Sequence, residues 1–232
     1  MNIWYCIPVH NGTAAVGCLT AWKNLGYRVA VVGESLDLRL LSPLVDLLLV
    51  RGTYSGYAEA VNYLWRKVGE RADVFVTGGF DVWPDPRFAA DAAAALYLGH
   101  FPLLEGVMQP TGDRLTPPED FQVSAPSPWI GRGFSLSVNH GLGPLWPGYF
   151  HSYVDWELLE VATRMGGYAV EPRLSQRHDR WNTGAVAVWP AYLAKAEAAH
   201  SVDRALLHSR RSAGYPGAFM PGLQTDDMED TL

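Results

Sequence analysis

The chain predicts one α/β domain, with a mostly parallel sheet covered by helices on both faces. Apolar runs of strand length recur along the first 110 residues. They alternate with segments whose apolar residues return every three or four positions, and each run ends in a turn signal. That alternation is the pattern of a parallel sheet with crossover helices.

Ile3 to Val9 is a buried strand that stops at His10-Asn11-Gly12. From Thr13 a helix carries Val16, Leu19, Trp22 and Leu25 on one face, and Gly26 stands where a C-cap glycine belongs. Arg28 to Val32 is the second strand, ending at Gly33-Glu34-Ser35, and Leu44 to Val50 is the third. Ala58 to Val68 is an amphipathic helix, Asp73 to Thr77 the fourth strand, Ala89 to Leu98 an alanine-rich helix, and Leu103 to Gln109 a further strand. The proline-rich stretch Thr111 to Pro128 reads as a long loop, of the kind that is functional or mobile in compact domains. Gly131 to Pro147 has no clear period, and its Gly131-Arg132-Gly133 reads as a glycine-rich loop. Tyr153 to Met165 is a helix closed by Gly166-Gly167, a short strand follows around Tyr168 to Val170, and Ala191 to His208 is a last helix before a loose tail from Gly214.

With 232 residues and 48% hydrophobic content, the chain can bury roughly three quarters of its unfolded surface around one core. No apolar stretch approaches the length of a membrane span and the first strand begins near Met1, so a cytoplasmic protein without membrane contact is expected. Cys6 and Cys18 have no metal or disulfide spacing and read as buried thiols. The net charge of −6 argues against a general nucleic-acid coat. It is unevenly spread: residues 161 to 215 hold 8 Lys/Arg against 4 Asp/Glu, and the last 17 residues hold none against 4.

Ligands of open parallel sheets sit at the carboxyl ends of the strands, which here are His10-Asn11, Gly33-Glu34-Ser35 and Gly79-Phe80-Asp81. At these points the sequence resembles the family-2 type of GT-A glycosyltransferases, in order through about residues 3 to 180. Ile7-Pro8-Val9-His10-Asn11 is similar to the opening strand whose end holds the nucleotide base, and Glu34 stands for the acid that faces uracil or ribose. Gly56-x-x-x-Ala60-x-Asn62 is similar to a family helix, with Asn62 nineteen residues before Asp81, as in the family. Ala72 to Pro86 resembles the strand that delivers the metal-binding Asp-x-Asp motif. Asp81 matches the last acid and Gly79 replaces the first.

Phe150 to Leu158 resembles the aromatic segment that ends in the family's Glu-Asp-x-Asp-Leu, which puts Asp155 at the catalytic base and Val154 in place of the usual Glu. Such a base takes the acceptor's proton in an inverting transfer. His178, 23 residues later, matches a histidine metal ligand.

The resemblance implies a single-domain, Rossmann-like GT-A fold over residues 1–213, with a nucleotide-sugar half (1–110), an acceptor half (111–213) and an acidic tail (214–232). It implies a nucleotide-sugar donor, a UDP-sugar by the acid at Glu34, and a divalent cation, Mn2+ or Mg2+. Donor contacts fall on Pro8, His10, Asn11, Glu34, Asn62, Phe80 and Asp81, the metal on Asp81 and His178, and the base on Asp155. Arg132, Trp156, Arg177, Arg180 and Trp181 are candidate phosphate or acceptor contacts.

Two acceptor classes stay open. One is a carbohydrate or small alcohol, which stacks on aromatic rings. The other is a hydroxymethylated nucleic-acid base, for which the arginines of residues 161 to 215 and the local aromatics argue. A sugar nucleotidyltransferase and a non-catalytic carbohydrate-binding relative are the alternatives. No Gly-x-Gly-x-x-Gly follows a strand, and neither a Walker loop nor a Gly-x-Ser-x-Gly elbow is present.

Overall fold

The computed structural model describes residues 1–34, 36–113, 124–179 and 191–219. Its centre is a seven-stranded sheet. The strands are β1 (Ile3–Pro8), β2 (Arg28–Gly33), β3 (Leu47–Val50), β4 (Val74–Val76), β6 (Val107–Thr111), β7 (Trp129–Gly131) and β8 (Tyr168–Ser175). A separate two-stranded ribbon pairs β5 (Val82–Trp83) with β9 (Arg177–His178). The sheet order is β3-β2-β1-β4-β7-β6-β8, parallel except that β7 runs antiparallel to both neighbours.

Side-chain alternation along the strands builds two cores. In β1, Trp4 and Cys6 face one side, with α2 (Tyr57–Val68) and α5 (Val154–Arg164), while Ile3, Tyr5 and Ile7 face the other, with α1 (Gly12–Asn24) and α3 (Ala90–His100). β2 repeats the division, with Ala30 and Val32 on the first side and Val29 and Val31 on the second. A strand buried on both faces needs apolar residues at every position, which is why the runs lack polar alternation. α4 (Arg132–Ser137) and α6 (Ala191–Ser212) complete the described helices.

Several boundaries differ from the sequence reading. Leu44 ends a 3₁₀ segment (Leu36–Leu44) ahead of a shorter β3. β6 begins at Val107 rather than Leu103, and β8 runs on to Ser175 because parallel pairing with β6 supports residues that lack a strong apolar period. The stretch from Gly131 is no loop beside the acceptor: Gly131 ends β7 and Arg132 opens α4. Because β7 is antiparallel, these residues emerge at the opposite end of the sheet from Asp81, and Arg132 pairs with Asp73, ahead of β4, at 3.7 Å. The segment from Gly214 to Phe219 is docked, not loose. Tyr215 and Ala218 are fully buried, Asn139 N–H donates to the Ala218 carbonyl at 3.1 Å, and Val138 bridges Phe219.

Candidate active site at the strand ends

The carboxyl ends of β1 and β4 open into a cleft of about 470 Å³, within the usual size of a small-molecule site. Pro8, His10, Thr77 to Asp81, His151 to Trp156, His178 and His200 line it. A parallel sheet concentrates strand ends on one edge, and the single-direction crossovers leave that edge to loops.

The turn that presents Asp81 is anchored from below. Tyr5 Oη, Cys18 Sγ and Trp22 Nε1 all donate to the Val82 carbonyl, at 3.1, 3.1 and 2.8 Å, and Tyr5 Oη also reaches the Gly79 carbonyl. Trp22 stacks on Tyr5 with centroids 4.1 Å apart. Burial pushes the Cys18 thiol up to about 12, so it stays protonated as a donor. Gly79 has its own logic: a Cβ built there would lie 2.2 Å from Asp81 Oδ1. The Asp81 carboxylate folds over the place where the first acid of the motif would begin.

His178 arrives through the ribbon. Val82 pairs with His178, and Asp179 N–H donates to the Asp81 carbonyl at 2.9 Å, which brings the imidazole against the acid. Nε2 lies 3.3 Å from Asp81 Oδ1, and Nδ1 lies 2.8 Å from Oδ1 of Asp113. An aspartate oxygen and an imidazole nitrogen are donors that a divalent cation accepts. Among the described residues no group of three His, Cys, Asp or Glu stands close enough to form a metal cage.

Asp155 lines the cleft from the first turn of α5. Its loop is held by a residue from far along the chain. The buried Asp203 carboxylate on α6 accepts N–H bonds from Phe150, His151 and Ser152 at 2.9, 2.9 and 2.8 Å. Tyr153 follows with left-handed backbone angles, φ 64° and ψ −3°. Further along the same helices, Arg210 makes a buried fork on Glu157, with its closest bond 2.6 Å, and stacks 3.4 Å over the Trp146 ring. Glu157 also accepts from Tyr149 Oη at 2.8 Å.

Other titratable groups in the cleft respond to burial. Burial lowers His10 and His151, which favours neutral rings. Burial raises the Tyr57 hydroxyl, and the negative fields of Asp155, Asp113 and Asp81 raise it further. Asp81 and Asp155 line the cleft, and Asp113 meets His178 at its wall.

The cleft brings together Pro8, His10, Phe80, Asp81, Asp155, Trp156 and His178. Glu34 lies beside a small adjoining cavity with Pro8, His10 and Tyr54, its carboxylate accepting from the Tyr54 N–H. Three expected contacts do other work, and Arg132 points away as described. Asn11 is the N-cap of α1, accepting from Ala14 N–H at 3.0 Å. Asn62 is buried and clasps the Leu145 backbone, donating at 2.7 Å and accepting at 3.1 Å. Arg177 pairs with Asp179 at 3.0 Å on the exposed face of the ribbon. Arg180 and Trp181 lie outside the described residues. The sequence reading missed Asp113, Asp203 and His200. Asp113 follows β6 by two residues, inside the stretch read from sequence as a long loop.

No family model matches the chain, and no curated protein matches it in sequence. Solved structures do resemble it. TarS 1–349 of S. aureus in complex with UDP aligns with a TM-score of 0.57 and 13% identity, over 76% of this chain and 59% of that one. GalNAc-T7 with UDP, GalNAc and Mn2+ gives 0.54 and 12%, over 77% and 44%. The catalytic domain of Drosophila β1,4-galactosyltransferase 7 in complex with xylobiose gives 0.50 and 15%, over 78% and 72%. The chain thus spans well under two thirds of the first two. The sheet order with antiparallel β7, the cleft at the parallel strand ends and these likenesses agree: the chain has the fold of the GT-A glycosyltransferases.

Proposed function

We propose that this protein is a glycosyltransferase that moves a sugar, with inversion, from a UDP-sugar onto a carbohydrate hydroxyl. The observation that carries the reading is the cleft itself, where the Asp81–His178 corner and Asp155 share one aromatic-lined space at the strand ends. A divalent cation at Asp81 and His178 would neutralise the donor pyrophosphate and stabilise the departing UDP.

Asp155 acts on the acceptor. As the acceptor oxygen bonds to the anomeric carbon, its proton passes to the Asp155 carboxylate, and the bond from that carbon to the UDP oxygen breaks with its electrons leaving on UDP. The same negative charge stabilises the oxocarbenium-like transition state. Trp156 and Tyr153, edge to face at 5.7 Å, offer ring faces for a sugar. The three solved structures support the substrate classes, since two hold UDP and the third xylobiose.

Carbohydrate is favoured over a nucleic-acid base by where the arginines go. Arg173, Arg177, Arg210 and Arg211 are each tied to a carboxylate within their own fold, and Arg164 lies over the Tyr215 ring. Of the eight cations of residues 161 to 215, Arg210 and Arg211 neutralise Glu157 and Glu160 outside that segment, which halves its charge excess and weakens the charge argument for phosphate contacts.

The test is a pair of variants assayed with a panel of UDP-sugars against mono- and disaccharides. Asp155→Asn should lower turnover by about 10² to 10⁴ while UDP affinity holds. Asp81→Ala should abolish the gain in UDP affinity that Mn2+ brings. Transfer by Asp155→Asn within about threefold of the parent, far below a general-base effect, refutes the assignment. Sugar binding without transfer by the parent points to a non-catalytic relative.

A further inference from the structure

We propose that Asp113 is a positioning residue, which holds the His178 ring so that Nε2 is presented beside Asp81 and thereby sets a preference for a transition-metal ion over magnesium. The inference rests on the reading of Asp81 and His178 as cation ligands and adds a residue that the resemblance to known transferases did not supply.

The backbone is built to bring Asp113 to this place. β6 pairs in parallel with β8, and the pairing slips between Pro110 and Thr111, so that Thr111 meets Ser175. Gln176 N–H donates to the Thr111 carbonyl at 2.7 Å, lacing the strand end to the corner that leads into β9. Gly112 then turns with φ +92°, and a Cβ there would lie 2.4 Å from Ser175 Oγ and 2.5 Å from the Gln176 carbonyl. Only glycine allows that approach. The next residue, Asp113, is completely buried and meets His178 Nδ1 at 2.8 Å.

A carboxylate at Nδ1 keeps the proton on that nitrogen, fixes the ring plane and leaves Nε2 as the donor atom toward a metal. The arrangement matters more here because Gly79 replaces the motif's first acid, so one of the two protein ligands is an imidazole whose ribbon spans two residue pairs. Transition ions accept imidazole nitrogen, Mn2+ the least readily of them, whereas magnesium holds to oxygen ligands. Holding the ring should therefore favour Mn2+ over Mg2+.

Mn2+ binding to the full chain with UDP, followed by the electron paramagnetic resonance of free Mn2+ and by competition with Mg2+, tests this. Asp113→Asn should weaken Mn2+ by about 10- to 100-fold, the usual effect of losing an outer-shell partner. Mg2+ should weaken less than about threefold, since oxygen ligands dominate its site. In a His178→Ala background the Asp113→Asn effect should vanish. Unchanged Mn2+ affinity, equal weakening of both ions, or an effect that persists without His178 overturns the proposal. A parent that binds no Mn2+ with UDP overturns the cation reading too, whereas normal parent binding with an unaffected variant overturns only the role of Asp113. If Asp113→Asn does not fold, nitrogen-15 histidine spectra of the parent at alkaline pH decide. A proton on His178 Nδ1 supports the proposal, and a proton on Nε2 overturns it.

Discussion

Removing the Asp203 carboxylate should loosen the loop ahead of Asp155 more than it disturbs the strand ends at Pro8, His10 and Asp81. Asp203 is 2% exposed and takes three consecutive backbone N–H bonds, all 2.8 to 2.9 Å, from Phe150 to Ser152. Bonds to a charged acceptor contribute about 1.5–3 kcal/mol each. Here three share one carboxylate, and the loop residues are only half-buried, so water replaces part of the loss. The left-handed Tyr153, which costs about 1–2 kcal/mol in a non-glycine residue, is also released. A net loss of about 3 kcal/mol for Asp203→Ala follows. For a chain of this size that lowers the melting temperature by about 6–12 °C. Thermal melts followed by fluorescence read the stability, and steady-state kinetics read the rest. Under the proposed function, turnover should fall with the freed Asp155 segment, while UDP affinity, read on the proposed donor side at Pro8, His10 and Asp81, stays near the parent value. Asp203→Asn, which keeps one acceptor oxygen, should lie between. A melting temperature for Asp203→Ala within about 2 °C of the parent, less than 1 kcal/mol for a chain of this size, refutes the clamp.

Two further outcomes concern the frame. Arg210→Ala leaves the buried Glu157 without its guanidinium fork and should cost about 3–5 kcal/mol by urea unfolding, whereas a cost below about 1 kcal/mol contradicts a buried pair. The Arg173 guanidinium beside Glu171, with further bonds from the Arg173 N–H and His100, holds the Glu171 carboxyl down from its ordinary 4.5 to about 2. A depressed acid stabilises the fold fully above its unfolded value and loses that contribution as pH falls from 4.5 toward 2. Glu171→Gln should therefore flatten the acid limb of the stability curve in that window, and an unchanged limb contradicts the pairing.

The parts of this protein that local chemistry controls were legible. β1 is apolar at every position because both its faces are covered, α1 stops at Gly26 (φ +86°), and α5 shows its apolar face over Val154 to Ala162. The same locality delivered Asp81 after β4 and Asp155 at the start of α5. Arg132 misled because strand direction is not written in a three-residue strand: an antiparallel β7 sends it to the far end of the sheet. Asn62 fits a motif by spacing, yet its amide is spent on Leu145, 83 residues away.

By itself the sequence determined the layered α/β class and the residues that follow the parallel strands, because hydrophobic period, caps and turns act within a few residues of chain. Only the tertiary structure decided which of those residues meet. The β5–β9 ribbon sets His178 against Asp81, the slip between β6 and β8 slides Asp113 beneath the same imidazole, 65 residues away in sequence, and α6 carries Asp203 to the loop ahead of Asp155. Those encounters depend on strand pairing and helix docking across the whole domain, where the free energy lies in contacts between distant segments that no local pattern records.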